Sequence, residues 1–179
     1  MRLRIVSLIA ALAVTSSPVV AQPRSGSATD ITKAEVEAVL AVMGRSIDRQ
    51  LKVLDIGDQN LAVGILHRTG DNDTDGRHRG AVHTELHEVY YILSGGGTLL
   101  TDGELSNATD PGPDDLVGPT FSADSRNGIV RDVSAGDIVI IPAGTLHAWL
   151  RIPDQVTYLS VRPDPTRVLP AGYVNPEID

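Results

Sequence analysis

From Leu51 to Pro163 the chain is broken into short β-branched and aliphatic runs separated by clusters of Gly, Asp, Asn and Pro. No stretch in that span keeps the 3.6-residue apolar period for the three turns a packed helix needs. Runs of this length with turn signals between them pack as antiparallel sheets. The spacing predicts strands near 52–56, 60–68, 81–84, 88–94, 97–102, 128–133, 137–141, 146–152 and 156–162. The expected fold is therefore all-β, an antiparallel sandwich or barrel. Ser94-Gly95-Gly96-Gly97 between two such runs reads as a hairpin turn. Residues 70–80 and 103–127 are long, polar and rich in Gly and Pro, and read as loops.

One helix precedes the strands. Thr32 and Glu35 have capping-box spacing, and Val36, Val39, Leu40, Met43 and Ile47 recur on one face, giving a helix over about 32–48 that packs on the body of the domain. After Arg162, prolines 163, 165, 170 and 176 predict a tail over 163–179 that wraps the surface or a partner subunit.

Arg2 and Arg4 precede an uncharged apolar run from Ile5 to Val14, too short to span a bilayer. Val19-Val20-Ala21 supplies the small residues that a signal peptidase reads. Residues 1–21 are thus expected to be a signal peptide, with 22–179 a single exported domain, periplasmic or secreted and not membrane-bound after processing. No cysteine follows the run for lipidation, and the arginines are not paired. Removing Arg2 and Arg4 from 15 basic residues leaves 13 against 23 acidic ones, a mature charge of −10. Such a field disfavours nucleic acid and anionic membrane surfaces. With no cysteine in the chain, disulfides, thiolate ligands and cysteine nucleophiles are excluded.

Chemistry concentrates in two segments. The first is His83-Thr84-Glu85-Leu86-His87-Glu88-Val89-Tyr90, running on to Gly95. The second is Gly136-Asp137-Ile138-Val139-Ile140-Ile141-Pro142-Ala143-Gly144-Thr145-Leu146-His147. Imidazole and carboxylate are the common ligands of divalent first-row metals. In these segments the chain resembles the cupin superfamily, whose motifs are G(X)5HXH(X)3-4E(X)6G and G(X)5PXG(X)2H(X)3N. Gly136, Pro142, Gly144 and His147 fit the second motif at every spacing. His83, Glu88 and Gly95 fit part of the first. Ala81 stands where the first motif histidine would be, and Arg151 replaces the closing asparagine. The resemblance covers about residues 60–162.

That resemblance implies a jelly-roll barrel with one N-terminal helix and a metal held by His83, Glu88 and His147. The ion would be Fe, Mn, Ni or Zn, with open positions for water or substrate. His67, His87 and His78 are candidates for a fourth ligand, His67 first among them. Strand parity sets Tyr90 beside Glu88, and Trp149 and Arg151 beside His147, on faces that would line one cavity. Glu88, Tyr90 and Arg151 are then the candidate catalytic groups, with Arg151 a partner for a substrate carboxylate. The implied activity is that of a metal-dependent enzyme of dioxygenase, lyase or isomerase type acting on a small polar or carboxylate-bearing molecule. The alternative is a non-catalytic binder of a small sugar or acid, with a structural metal or none. A homodimer is expected in either case. Asp71, Asp73, Asp75 and Gly76 resemble the start of a calcium loop, but Val82 stands where its closing glutamate belongs, and no helices flank it.

Overall fold

The computed structural model describes residues 27–44, 47–70, 78–110, 112 and 115–178. The signal-peptide segment and the aspartate run 71–75 lie outside them.

Among the described residues the first element is α1 (Lys33–Val42), whose capping box is formed on both sides: the Thr32 hydroxyl accepts from the Glu35 amide, and the Glu35 carboxylate accepts from the Thr32 amide. The helix is shorter than expected. Gly44 takes a positive φ of 58° just past Met43 and turns the chain, so Ile47 lies outside the helix and leads into β1. Ten strands follow: β1 (Asp48–Asp55), β2 (Asn60–Thr69), β3 (Arg79–His83), β4 (Glu88–Thr101), β5 (Glu104–Thr109), β6 (Thr120–Arg126), β7 (Ile129–Ser134), β8 (Ile138–Ile141), β9 (His147–Arg151) and β10 (Gln155–Asp164). All their pairings are antiparallel.

β4 organises the barrel. Its first half lies between β10 and β8 in a sheet of order β1-β2-β10-β4-β8; its second half lies between β9 and β7 in a sheet of order β5-β6-β3-β9-β4-β7. The crossover falls on Gly95-Gly96-Gly97. The strand runs through these glycines, so they are not the hairpin turn their sequence suggests. Neighbouring backbones press on both sides: a Cβ on Gly95 would lie 1.9 Å from the Gln155 carbonyl oxygen, and one on Gly97 would lie 2.4 Å from that of Arg151. Only glycine lets one strand bend between two sheets at this separation.

The span 103–127, read as a loop, contains β5 and β6. Every residue of β5 is exposed, so it carries no apolar alternation from which a strand could be read.

Two of the apolar clusters frame the sheet of β1, β2, β10, β4 and β8. Inside the barrel, Leu66, Tyr90, Ile92, Leu99, Val139, Ile141, Trp149, Val156 and Tyr158 pack together. Outside, Val39 of α1 and Met43 at its C-cap cover Leu51 and Ile65 of β1 and β2, with Leu159 of β10 at the margin. The tail wraps its own chain: Gly172 and Asn175 donate to the Val53 and Leu51 carbonyls, Val53 donates to Tyr173, and Leu169 is buried. The outer edge of β1 is thereby closed. No helix among the described residues is long and apolar enough to cross a membrane.

Candidate metal centre

The two motif segments meet because a turn ties them. Pro142 to Thr145 forms a tight turn closed by Thr145 N–H on the Pro142 carbonyl, with Gly144 at φ 80°. Gly144 N–H donates to the His83 carbonyl at 2.8 Å, and Ala81 of β3 pairs with His147 of β9. Glu88 opens β4 opposite Ile141 of β8. His83, Glu88 and His147 therefore converge, all three buried, with one ligand atom from each lying within 4.8 Å of the others.

Hydrogen bonds fix which nitrogens face inward. His147 Nδ1 is 3.2 Å from the Thr145 carbonyl, which can only accept, so that nitrogen carries the proton. His83 Nδ1 is 2.8 Å from the Thr120 hydroxyl, whose own proton goes to the Gly118 carbonyl, so His83 also donates from Nδ1. Both Nε2 atoms thus turn toward Glu88 Oε2, at 3.4 Å from His83 and 3.2 Å from His147. Lone pairs so placed repel a carboxylate oxygen unless positive charge lies between them, as a proton on each ring or as a metal ion. The donor set thus fits a divalent cation.

Glu88 is held from behind. Ser160 donates to Oε1 at 2.7 Å and Arg162 Nε at 3.3 Å, while Tyr90 donates to Oε2 at 3.0 Å. Arg162 has no exposed surface and spends its other nitrogens on Asp48, the Gln50 side chain and the Leu116 carbonyl. Burial, the largest influence on Glu88, raises its pKa. Hydrogen bonding to His147 and His83, then the electrostatic influence of His147 and Arg162, outweighs burial and holds the carboxyl well below its ordinary range. Burial likewise drives the Tyr90 hydroxyl, next to the Glu88 charge, well above its ordinary value.

The cluster lies in the wall of a cavity of about 480 Å³. Leu66, Arg68, Arg79, Ala81, Tyr90, Leu116, Ser122 and Trp149 supply much of the remaining wall. Tyr90 is where parity put it, but Arg151 is not. Thr98 pairs with Arg151 while Leu99 pairs with Trp149, so Leu150 is an extra residue in β9. This bulge breaks the alternation and leaves Arg151 exposed at the strand end. His67 is also not brought to the cluster. Its neighbours Leu66 and Arg68 line the cavity, and His67 itself turns to the other face of β2, 2.8 Å from the Thr157 hydroxyl. His87 accepts from the Ala143 amide through Nδ1, and His78 is exposed. None of the three supplies a fourth ligand, and Ala81 leaves the first motif position open in the cavity wall.

Arg68, Ser160 and Arg162 went unnoticed in the sequence. Arg68 was legible in principle, two residues from Leu66 on the strand face opposite His67. Its Nε donates to the Tyr158 hydroxyl at 3.3 Å, and among the described residues its terminal nitrogens have no hydrogen-bond partner.

No family model matches the chain, and no curated protein matches it. Solved structures do. A DMSP lyase, DddQ, from Ruegeria pomeroyi DSS-3 is 19% identical over 69% of this chain with a TM-score of 0.43, and the chain spans 49% of the lyase's length. A protein with a double-stranded β-helix domain from Klebsiella pneumoniae is 18% identical over 68% of this chain and 81% of its own, TM-score 0.38. A cupin protein from Bacteroides fragilis is 19% identical over 64% and 72%, TM-score 0.37. With two antiparallel sheets joined through β4 and both motif segments meeting at one cavity, the chain has the cupin fold.

Proposed function

We propose that this protein is an exported metal-dependent enzyme of the lyase, isomerase or dioxygenase type, acting as a homodimer on a small polar molecule that bears a carboxylate. The reading rests on the convergence of two imidazole Nε2 atoms on Glu88 Oε2 in the wall of a cavity of about 480 Å³. His83, Glu88 and His147 would hold the ion, which supplies a Lewis acid with positions open to a substrate oxygen or water. Arg162 and Ser160 hold Glu88 Oε1 and leave Oε2 facing inward. Tyr90 keeps a proton on Oη, directed at Oε2. Leu66 and Trp149 give the cavity an apolar wall. Arg68, rather than Arg151, is the guanidinium placed to receive a substrate carboxylate.

Metal analysis of the purified protein by mass spectrometry tests this. About one equivalent of Fe, Mn, Ni or Zn is expected in the wild type, and loss of it in His83→Ala and in His147→Ala. Substoichiometric metal, indifferent to both substitutions, would overturn the reading. Export is tested separately by the N-terminus of the protein recovered outside the cytoplasm, expected at Gln22.

Ala81 at the first motif position favours a second reading, a binder of a small acid or sugar without turnover. Ligand-dependent stabilisation with no product formed by the metal-loaded protein would select it.

A further inference from the structure

The barrel sheet that carries β4 and β8 is apolar on both faces. Its inner face packs Tyr90, Ile92, Val139 and Ile141. Its outer face is covered over β1 and β2 by α1, whose cluster reaches as far as Leu159 of β10. Among the described residues the cover ends there, but the apolar surface does not. Leu159 pairs with Tyr91 of β4, and Tyr91 pairs with Ile138 of β8. Beyond Leu159, Tyr91 is 43% exposed, Leu93 39%, Ile138 64% and Ile140 71%. Val89, half-buried on the same face, pairs with Ile140. β8 is Ile-Val-Ile-Ile, the pattern of a strand buried on both faces, yet it ends its sheet with no partner beyond it among the described strands.

We infer that this outer face of β4 and β8 is where two copies of the chain pack together about a twofold axis. It deepens the homodimer part of the proposed function by assigning that homodimer its surface. Size, charge and symmetry point to a second copy as the occupant. The four side chains expose on the order of 400 Å², about half of the ~800 Å² that each partner contributes to a standard interface, with Val89 and the β8 edge extending it. A membrane surface is poorly matched, because these strand positions carry no Lys or Arg and the chain has a net charge of −8. An aliphatic face without charges is self-complementary, which a twofold contact requires: Ile138 and Ile140 of one copy meet the Tyr91–Leu93 row of the other. The tail and α1 both lie against β1, away from β8, so neither obstructs the contact.

Sedimentation velocity on the metal-loaded protein at tens of micromolar tests the assignment. The wild type is expected to sediment as a dimer and the double variant Ile138→Lys, Ile140→Lys as a monomer. Both positions are exposed, so the variant is expected to keep the wild-type circular dichroism and bound metal. Ile129→Lys, an exposed isoleucine on β7 outside this face, is expected to leave the dimer intact. A monomeric wild type would overturn both the surface and the homodimer. A dimer that survives the double substitution would overturn the surface alone, and the metal content of the same samples reports independently on the metal reading.

Discussion

Arg162 has no exposed surface and lies between Glu88 and Asp48, so both carboxylates depend on it. Replacing it with methionine removes the guanidinium that the two carboxylates share, and breaking such a buried ion pair from one side costs about 3–5 kcal/mol. Urea unfolding of Arg162→Met is expected to show that loss. Ser160→Ala removes the bond to Glu88 and one acceptor of Arg162 Nε, while that Nε still holds the same carboxylate oxygen, and is expected to cost about 1–2 kcal/mol. Near-equal losses in the two variants would remove Arg162 from its central place. Thr120 offers a subtler test, because its hydroxyl accepts from the outer nitrogen of His83 and donates to the Gly118 carbonyl. Thr120→Val is expected to weaken metal binding about 10- to 100-fold in chelator competition while leaving the stability of the metal-free protein within about 1 kcal/mol. His83, Glu88 and His147 were legible because local turns fix their spacing. Arg162 was not: it lies 74 residues after Glu88, and only the register of β10 on β4 brings the two together.

The same contrast holds for whole elements. Strands with an inward apolar row, such as β2 and β10, were read within a few residues, since burial writes a period into the sequence. β5 and β6 were missed because their positions are mostly polar, and hydrogen bonding to a neighbouring strand leaves no compositional trace. Gly95-Gly96-Gly97 misled for the opposite reason, since a turn and a strand squeezed between two backbones both demand glycine. Substitution separates the two cases. In an open turn Gly97→Ala is nearly neutral, whereas in the observed strand its Cβ meets the Arg151 carbonyl and the Trp149 ring. Gly97→Ala is expected to lower stability by about 2–4 kcal/mol in chemical denaturation, with Gly95→Ala at least as costly because φ 68° adds backbone strain. A change under about 0.5 kcal/mol at both positions would restore the hairpin and dissolve the crossover that joins the sheets.

For the molecule as a whole, the absence of cysteine shifts the burden of stability to packing and to whatever binds the native state. The His83–Glu88–His147 cluster joins β3, β4 and β9, which come from both sheets, so an ion held there binds the folded barrel and has no counterpart in the unfolded chain. Ligation of that kind contributes RT ln(1 + [L]/Kd), about 2.7 kcal/mol when free metal stands a hundredfold above Kd. For a domain of this length each kcal/mol moves Tm by roughly 2–4 °C, so stripping the ion is expected to lower Tm by roughly 5–10 °C. Glu88 makes the sign of the variant effect informative. In His147→Ala the carboxylate keeps Arg162, Ser160 and Tyr90 but loses the ring that faces Oε2, so the variant is expected to melt near the chelated wild type and to be unmoved by chelator. Calorimetry of both proteins, each with and without chelator, separates the outcomes. Equal chelator shifts in wild type and variant would place any bound metal elsewhere, and a variant that melts far below the chelated wild type would make His147 a packing residue first.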